Sequence, residues 1–145
     1  MKTNGGFLVT KIKQLGDRIF ERILAEKNID AFNGAQGRIL YVLWQEDGVP
    51  IKIISEKSGL AITSLTTMLE RMEKNGLISR KTAEADKRKT LLFLTDKAKE
   101  LKEAYDSVSN EMGNIYYRDF TDKEILQFEE YLNRIRVNLE EWSDK

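Results

Sequence analysis

Apolar residues recur every three or four positions in the first part of the chain, which is the spacing of one face of an α-helix. They are Leu8, Ile12, Leu15, Ile19 and Ile23. This stripe predicts a long first helix that ends near Asn28. A second helix is predicted from Gly34 to Gln45, terminated by the turn that contains Gly48.

The last third of the chain carries two apolar repeats with alternating steps of three and four, a spacing that bundles and coiled coils share. The first repeat consists of Ala98, Leu101, Tyr105, Val108, Met112 and Ile115. The second consists of Ile125, Phe128, Leu132, Ile135, Leu139 and Trp142. Thr121 and Glu124 have capping-box spacing, so the last helix is predicted to begin at this turn.

Long amphipathic helices of this kind need a surface on which to pack their apolar stripes. A second copy of the chain is the simplest source of such a surface, so these helices predict a homodimer. The alternative is a monomer in which the three long helices cover one another, because such repeats serve bundles and coiled coils alike.

The middle of the chain predicts two short helices joined by a glycine-containing turn. The first lies within Pro50 to Leu60, with Ile53 and Ile54 inward, and Gly59 ends it. The second buries a face of Leu65, Met68, Leu69 and Met72 and stops at Gly76. Two such helices predict a helix-turn-helix, whose second helix exposes small polar side chains near its start: Thr63, Ser64, Thr66 and Thr67.

After Gly76 the apolar period changes from that of a helix to that of a strand. Strands are predicted from Ile78 to Ala83 and from Thr90 to Leu94, with Leu92 and Leu94 on one face. The intervening turn, Glu84 to Lys89, carries three adjacent cations. A helix-turn-helix followed by a hairpin is a winged helix, and cations at the tip of the wing can reach a phosphate backbone or a narrow minor groove.

Composition narrows the function classes. The 145 residues have the size of one domain and contain no cysteine and no histidine, which excludes disulfides, thiol nucleophiles, imidazole bases and zinc fingers. The remaining carboxylates and lysines show no catalytic spacing, so we expect no enzyme, no metal and no cofactor. The longest apolar run is Ile39 to Trp44, which predicts no membrane span and a cytoplasmic protein.

The formal net charge of zero hides a segregation along the chain. Residues 1–50 sum to +1, residues 51–95 to +4 and residues 96–145 to −5. A basic middle segment suggests a local face for a polyanion, although modest excesses of this size also arise by chance.

The wing and the end of the second short helix resemble the multiple-antibiotic-resistance regulator (MarR) family of winged-helix transcription factors. Asp86, Arg88, Leu94 and Thr95 fit its D-x-R-x-x-x-x-x-L-T pattern. The segment LERMEKNGLISR, residues 69–80, is similar to its L-x-R-L-E-x-x-G-L-I-x-R, with Met72 in place of leucine. Ala61 departs from the usual Ser or Thr helix cap, so the cap either comes from Thr63 or is absent.

The resemblance implies roles for individual residues. Arg88 would enter the minor groove, and Asp86 would brace the wing by pairing with Arg71 or by holding the turn's backbone. The four small polar residues of the recognition helix would face the major groove, although surface Ser and Thr are often only solvated. The complete set of predicted DNA-binding residues is Thr63, Ser64, Thr66, Thr67, Arg71, Asp86, Lys87, Arg88 and Lys89.

We therefore expect a mostly α fold with a small β-hairpin wing, a winged helix-turn-helix flanked by long dimerisation helices. The expected parts are N-terminal helices in residues 1–48, a DNA-binding lobe in 49–95 and C-terminal dimerisation helices in 96–145. The expected function is a homodimeric transcription regulator, a repressor, bound to a pseudo-palindromic site on double-stranded DNA. The alternative is a winged helix used only for protein contacts, which would lack a basic wing and expose an apolar patch.

Control is expected from a small aromatic or amphipathic effector, because the family commonly senses either such molecules or cysteine oxidation and cysteine is absent here. Without histidine, no residue has an ordinary pKa that would make a switch near neutral pH. Phe20, Tyr41 and Trp44 would line the pocket; the alternative is that these aromatics simply fill the core.

Overall fold

The structure, a computed structural model, describes all 145 residues. Seven helices and one hairpin follow one another along the chain, and the fold class expected from the sequence is confirmed. In chain order they are α1 (Gly5–Glu26), α2 (Gly34–Gln45), α3 (Ile51–Ser58), α4 (Ile62–Lys74), β1 (Ile78–Thr82), β2 (Thr90–Leu94), α5 (Asp96–Glu100), α6 (Lys102–Tyr116) and α7 (Asp122–Ser143). No helix is long and apolar enough to span a bilayer.

The chain divides into two compact units, Met1–Asn110 and Glu111–Lys145. In the first unit, the apolar faces of α2, α3, α4 and the hairpin form the core, as their periodicity predicts. Fully buried side chains on these elements are Ile39, Leu40, Leu43, Ile54, Leu65, Leu69, Met72, Ile78 and Leu92. By contrast, the N-terminal part of α1 leaves Phe7, Leu8, Ile12 and Leu15 exposed.

The helix-turn-helix connection depends on a left-handed backbone. Gly59 has φ +74° directly after α3, a conformation that side chains with a Cβ rarely adopt. The turn is closed by side chains as well, because Ser55 Oγ donates to the Leu60 carbonyl at 2.7 Å and Leu60 N donates to Ser58 Oγ at 3.2 Å. These bonds fix the point at which α4 begins.

Helix α2 spans Gly34–Gln45, as the sequence predicts; Glu46 after it is already extended, and Gly48 follows in the turn with φ +70°. One expectation about helix ends is corrected: the first apolar repeat of the last third does not form one helix, because the chain turns at Leu101 between α5 and α6. At this turn the Ala98 carbonyl accepts from Leu101 N and from Trp44 Nε1, each at 3.2 Å.

That first repeat is also less available to a partner than its spacing suggests. Ala98 and Val108 are fully buried within the first unit, whereas Ile115, near the end of α6, is exposed. The beginning of the repeat therefore belongs to the core of one chain, and only its end is free.

The second unit is a helical hairpin closed by aromatic rings. Tyr117 packs edge-on against Phe120 and Phe128, and its hydroxyl donates to Glu129 Oε2 at 2.7 Å. Burial, followed by the hydrogen bond to Glu129, raises the pKa of Tyr117 to about 12. The capping box of Thr121 and Glu124 begins α7, as the sequence predicts, yet no residue of α7 is buried.

Candidate nucleic-acid interface

The start of α4 is an exposed surface of small side chains. Ala61 is the residue before the helix and makes no side-chain cap, which settles the question left open by the sequence: Thr63 supplies no cap either. The first backbone N–H groups of α4 are thus free of a side-chain partner, and the positive end of the helix faces outward.

The four small polar residues predicted on this helix are all exposed: Thr63, Ser64, Thr66 and Thr67. The hydroxyl of Thr66 donates to the Ile62 carbonyl at 3.0 Å, so its proton is already used in a hydrogen bond within the helix. Arg71 lies one to two turns further along and is exposed as well.

The tip of the wing is organised by Asp86. Its Oδ1 accepts from the backbone N of Arg88 at 3.0 Å and from Arg88 Nε at 3.1 Å, while Oδ2 accepts from Arg88 Nη2 at 3.4 Å. The hydrogen bonds from Arg88 lower the pKa of Asp86 below its ordinary value; the bond from the Arg88 side chain contributes most, and the bond from its backbone N–H comes next. The expected pair with Arg71 is absent, and the other expected role, holding the backbone of the turn, is the one that the structure shows.

The cations of the hairpin divide into two groups. Arg80 pairs with Glu73 at 3.3 Å, and Lys81 lies over the ring of Phe93 at 5.1 Å, so both are engaged with the body of the lobe. Lys87, Arg88 and Lys89 point into solvent, and the Arg88 side chain is 91% exposed. The basic surface is therefore concentrated at the turn.

Backbone pairing on both edges of β2 fixes the wing to the helices. One edge pairs with β1 in antiparallel register, with Ile78 opposite Leu94 and Thr82 opposite Thr90. On the other edge, Leu92 N donates to the Val49 carbonyl at 2.9 Å and Leu94 N donates to Asp47 Oδ1 at 2.8 Å. The wing base is thereby tied to the linker between α2 and α3.

A second tie joins the base of the wing to the end of α4. Thr95 Oγ1 donates to the Gly76 carbonyl at 2.6 Å, and Lys97 Nζ donates to the Asn75 carbonyl at 3.1 Å. The C-terminal end of α4 and the base of the wing are consequently held together.

The three aromatic residues predicted to line an effector pocket all pack around the ring of Tyr105, which the sequence pattern placed in the first apolar repeat. Phe20, Tyr41 and Trp44 have ring centroids 6.0, 5.9 and 5.3 Å from that of Tyr105. Phe32 joins the cluster at 6.1 Å. Burial raises the pKa of Tyr105, with a further contribution from Tyr41.

Sequence reasoning missed Phe32 and the central role of Tyr105, which it counted only as a member of the first apolar repeat. The glycine at position 37 of α2 is consistent with a ring packed against this helix, because a Cβ there would lie 3.0 Å from the Tyr105 ring and 3.2 Å from the Phe32 ring. Tyr41 is exposed and Trp44 half-buried, so the cluster is accessible from one side.

Residues 32–90 match the sequence model of the MarR family, which confirms the resemblance from α2 through the turn of the wing, up to the first residue of β2. The HTH-type transcriptional regulator TtmR of Methylorubrum extorquens is 35% identical over 77 residues, 53% of this chain and 40% of the relative. The organic hydroperoxide resistance transcriptional regulator of Bacillus subtilis is 42% identical over 64 residues, 44% of each chain. The chain thus matches less than half the length of either relative.

Solved structures match along nearly the whole chain. A mutant of E. coli MarR complexed with operator DNA superposes with a TM-score of 0.80 at 22% identity, over 90% of this chain and 91% of that one. BpsR of Bordetella bronchiseptica, whose DNA binding is regulated by 6-hydroxynicotinic acid, gives 0.82 at 17% identity, over 92% and 99%. At these identities the likeness establishes the fold.

The Asp86 geometry predicts an effect confined to the wing tip. Asp86→Ala should speed amide hydrogen exchange at Arg88, because the N–H loses its carboxylate acceptor. Glu84→Ala, an exposed acid two residues away, removes the same charge and is the matched control. Exchange measured by NMR should change at the turn in the first variant only, with the core amides unaffected in both. Equal exchange at Arg88 in the two variants would contradict the bracing role.

Proposed function

We propose that this chain, whose residues 32–90 match the MarR family, is a sequence-specific DNA-binding transcription regulator that acts as a homodimeric repressor. The observation that carries the proposal is the rigid joining of two surfaces with different chemistry. One is the exposed, uncapped start of α4, and the other is the cationic tip of the wing. In winged helices such a pair serves the major groove and the adjacent backbone or minor groove.

Exposed charge at the wing favours DNA over a protein partner. A winged helix devoted to protein contacts would present an apolar wing, whereas here Lys87, Arg88 and Lys89 lie side by side in solvent. Cations of this kind neutralise phosphates and release counterions, which is the main source of affinity for duplex DNA. Retention on a heparin column at low salt separates the two readings.

The Asp86 carboxylate bears on how Arg88 would enter a groove. Its bond to the Arg88 backbone N–H holds the turn even when the guanidinium swings away, because the two bonds use different parts of the arginine. The wing would keep its shape while the side chain exchanges a carboxylate partner for DNA. Since the pair is exposed, that exchange costs little.

For a homodimer, the proposal rests on apolar side chains that neither unit covers. In the second unit, Leu132 and Ile135 are exposed along α7, and Leu139 and Trp142 continue the stripe to its end. A contiguous apolar stripe of this length is unusual on a monomer surface. We propose that these residues, with the exposed face of α1, pair with a second copy, so that residues 1–48 serve dimerisation and support, residues 96–145 serve dimerisation and residues 49–95 bind DNA.

Two copies would present two recognition helices to one duplex. Successive major grooves on one face of DNA lie roughly 34 Å apart, so the operator would be a pseudo-palindrome with half-sites about one helical turn apart. Regulation would then act on the spacing of the two helices. An effector at the aromatic cluster around Tyr105 would favour a spacing that misses the grooves, to the extent that it binds the two states differently.

Arg88→Ala should weaken operator binding by about 1–3 kcal/mol, because it removes the cation placed for the groove. Lys57→Ala is the control: it removes a cation of the same lobe that lies on α3, paired with Glu46 at 2.9 Å, and not at the tip of the wing. Fluorescence anisotropy on labelled operator measures both variants. Affinity should also fall steeply from low to moderate salt, and a flat dependence would show that the basic tip does not face DNA.

Leu132→Asp should dissociate the dimer, because a carboxylate in an apolar seam is costly to bury. Leu132 is 38% exposed on α7, and Gln127→Asp places the same charge on another side of that helix as a control. Light scattering after size exclusion should give a dimer mass for the parent and the control at micromolar protein. A monomer mass for the parent at high micromolar concentration would refute the dimer.

An effector should be detectable through Trp44, which contacts Tyr105. The chain has only two tryptophans, so a Trp142→Phe background makes Trp44 the sole indole reporter. Phenolic acids and related compounds are screened for release of operator DNA and for a change in this fluorescence; Tyr41→Ala should weaken both responses. Reversible release by peroxide or by a pH change between 6 and 8, with no response to any compound, would refute control by an aromatic ligand.

A further inference from the structure

The first two turns of α4 present methyl groups where DNA-reading helices often carry long polar side chains. Ile62, the first residue of the helix, is 49% exposed, while the core face is made by Leu65, Leu69 and Met72, all fully buried. Ile62 therefore contributes little to the core, and as a β-branched residue it does not favour the helix. Its exposure needs another explanation.

At 100° per residue, the exposed side of α4 can be divided into three rows. Thr63, Thr67 and Glu70 follow the middle, with Ile62 and Thr66 along one side and Ser64 and Arg71 along the other. Because the Thr66 hydroxyl donates to the Ile62 carbonyl, the methyl of Thr66 is its part that is free to meet a partner. Ile62, Thr63, Thr66 and Thr67 thus form a methyl-rich surface with only short hydroxyls interspersed.

This surface limits the ways in which a base pair can be read. Paired hydrogen bonds to guanine need Arg or Lys, and those to adenine need Asn or Gln. Residues 62–67 contain none of these four types, and the first long polar side chains on the exposed side are Glu70 and Arg71. The N-terminal part of a recognition helix is the part that meets base edges, so polar readout from the first turns is restricted to single hydroxyl contacts.

One base offers an apolar group in the major groove, namely thymine with its C5-methyl. We propose that Ile62 and the methyls of Thr63, Thr66 and Thr67 recognise thymine methyl groups in each half-site, and that Ile62 is a specificity-determining residue. This inference rests on the proposed function, because it presumes that the start of α4 enters the major groove. It adds what that helix selects: thymines on the contacted strand, read by apolar contact.

The test replaces thymine by deoxyuridine, which removes only the C5-methyl. An operator is first recovered by selection from a random duplex pool, and each thymine is then replaced singly while anisotropy measures the affinity at fixed salt. We expect a loss of about three- to fivefold at one or more positions under α4 in each half-site, the size expected for one buried methyl. Thymines at positions outside that footprint serve as the internal control and should show no loss.

Side-chain variants assign the effect to the protein. Ile62→Ala should weaken binding to the thymine operator and should abolish most of the penalty for deoxyuridine, as a double-mutant cycle requires of two groups in contact. Thr63→Ser removes the methyl and keeps the hydroxyl, whereas Thr63→Val keeps the methyl and replaces the hydroxyl by a second methyl; only the first should reduce the deoxyuridine penalty. Thr66→Val should bind like the parent, since that hydroxyl is used within the helix.

The outcomes separate this inference from the proposed function. Selective, salt-dependent binding that is unchanged by deoxyuridine at every position would overturn methyl readout and leave the regulator intact. A selected operator without thymine under α4 would do the same. Failure to bind any duplex at low salt would overturn both.

Discussion

The fold of the winged-helix lobe depends on the pairing of β2 along both of its edges. A two-stranded hairpin alone is marginal in water, and its angle to the rest of a domain is undetermined. Here Leu92 exchanges backbone hydrogen bonds with Val49, and Leu94 N reaches the Asp47 carboxylate, while the side chains of Leu92 and Leu94 are buried. The strand β2 is therefore part of the wing, is bonded to the α2–α3 linker and contributes side chains to the core. These three sets of contacts fix the angle between the wing and the rest of the lobe.

The remaining freedom lies at the tip, where function requires it. Thr95 ties the end of β2 to the Gly76 carbonyl, so the end of α4 and the wing base move together. At the turn, by contrast, few bonds hold the chain: backbone bonds from Ala83 N to the Lys89 carbonyl and from Lys89 N to the Asp86 carbonyl, and the bonds of the Asp86 carboxylate to Arg88. In the proposed complex, a fixed base with an adaptable tip would allow Arg88 to follow the local shape of DNA without disturbing α4.

The sequence predicted those features that local physics determines. Helix α2 begins at Gly34 because Asn33 and Gln36 form a capping box, and the hairpin begins where the apolar period changes, after Gly76. It could not predict contacts between distant residues. The break at Leu101 involves Trp44 Nε1 and the Ala98 carbonyl, 54 residues apart, and periodicity within α5 and α6 carries no trace of it. For Asp86 the sequence left two roles open, a pair with Arg71 and a bond to the backbone of the turn, and the structure shows the second. The side-chain pair with Arg88, only two residues away, was not predicted.

In the proposed complex, the chemistry of α4 would make its specificity depend on the geometry of the wing. Isoleucine, threonine and serine are short, so their methyls and hydroxyls reach base edges only if the helix axis lies deep in the groove. Long side chains such as arginine tolerate a helix that sits a few ångströms further out, whereas methyl contacts lose much of their energy over a gap of 0.5–1 Å. Depth is set by where the rest of the lobe meets the phosphates, and therefore by the anchored base of β2. An apolar recognition surface is accordingly consistent with a wing fixed on both edges: the backbone of Leu92, far from any base, would govern how well Ile62 distinguishes one base from another.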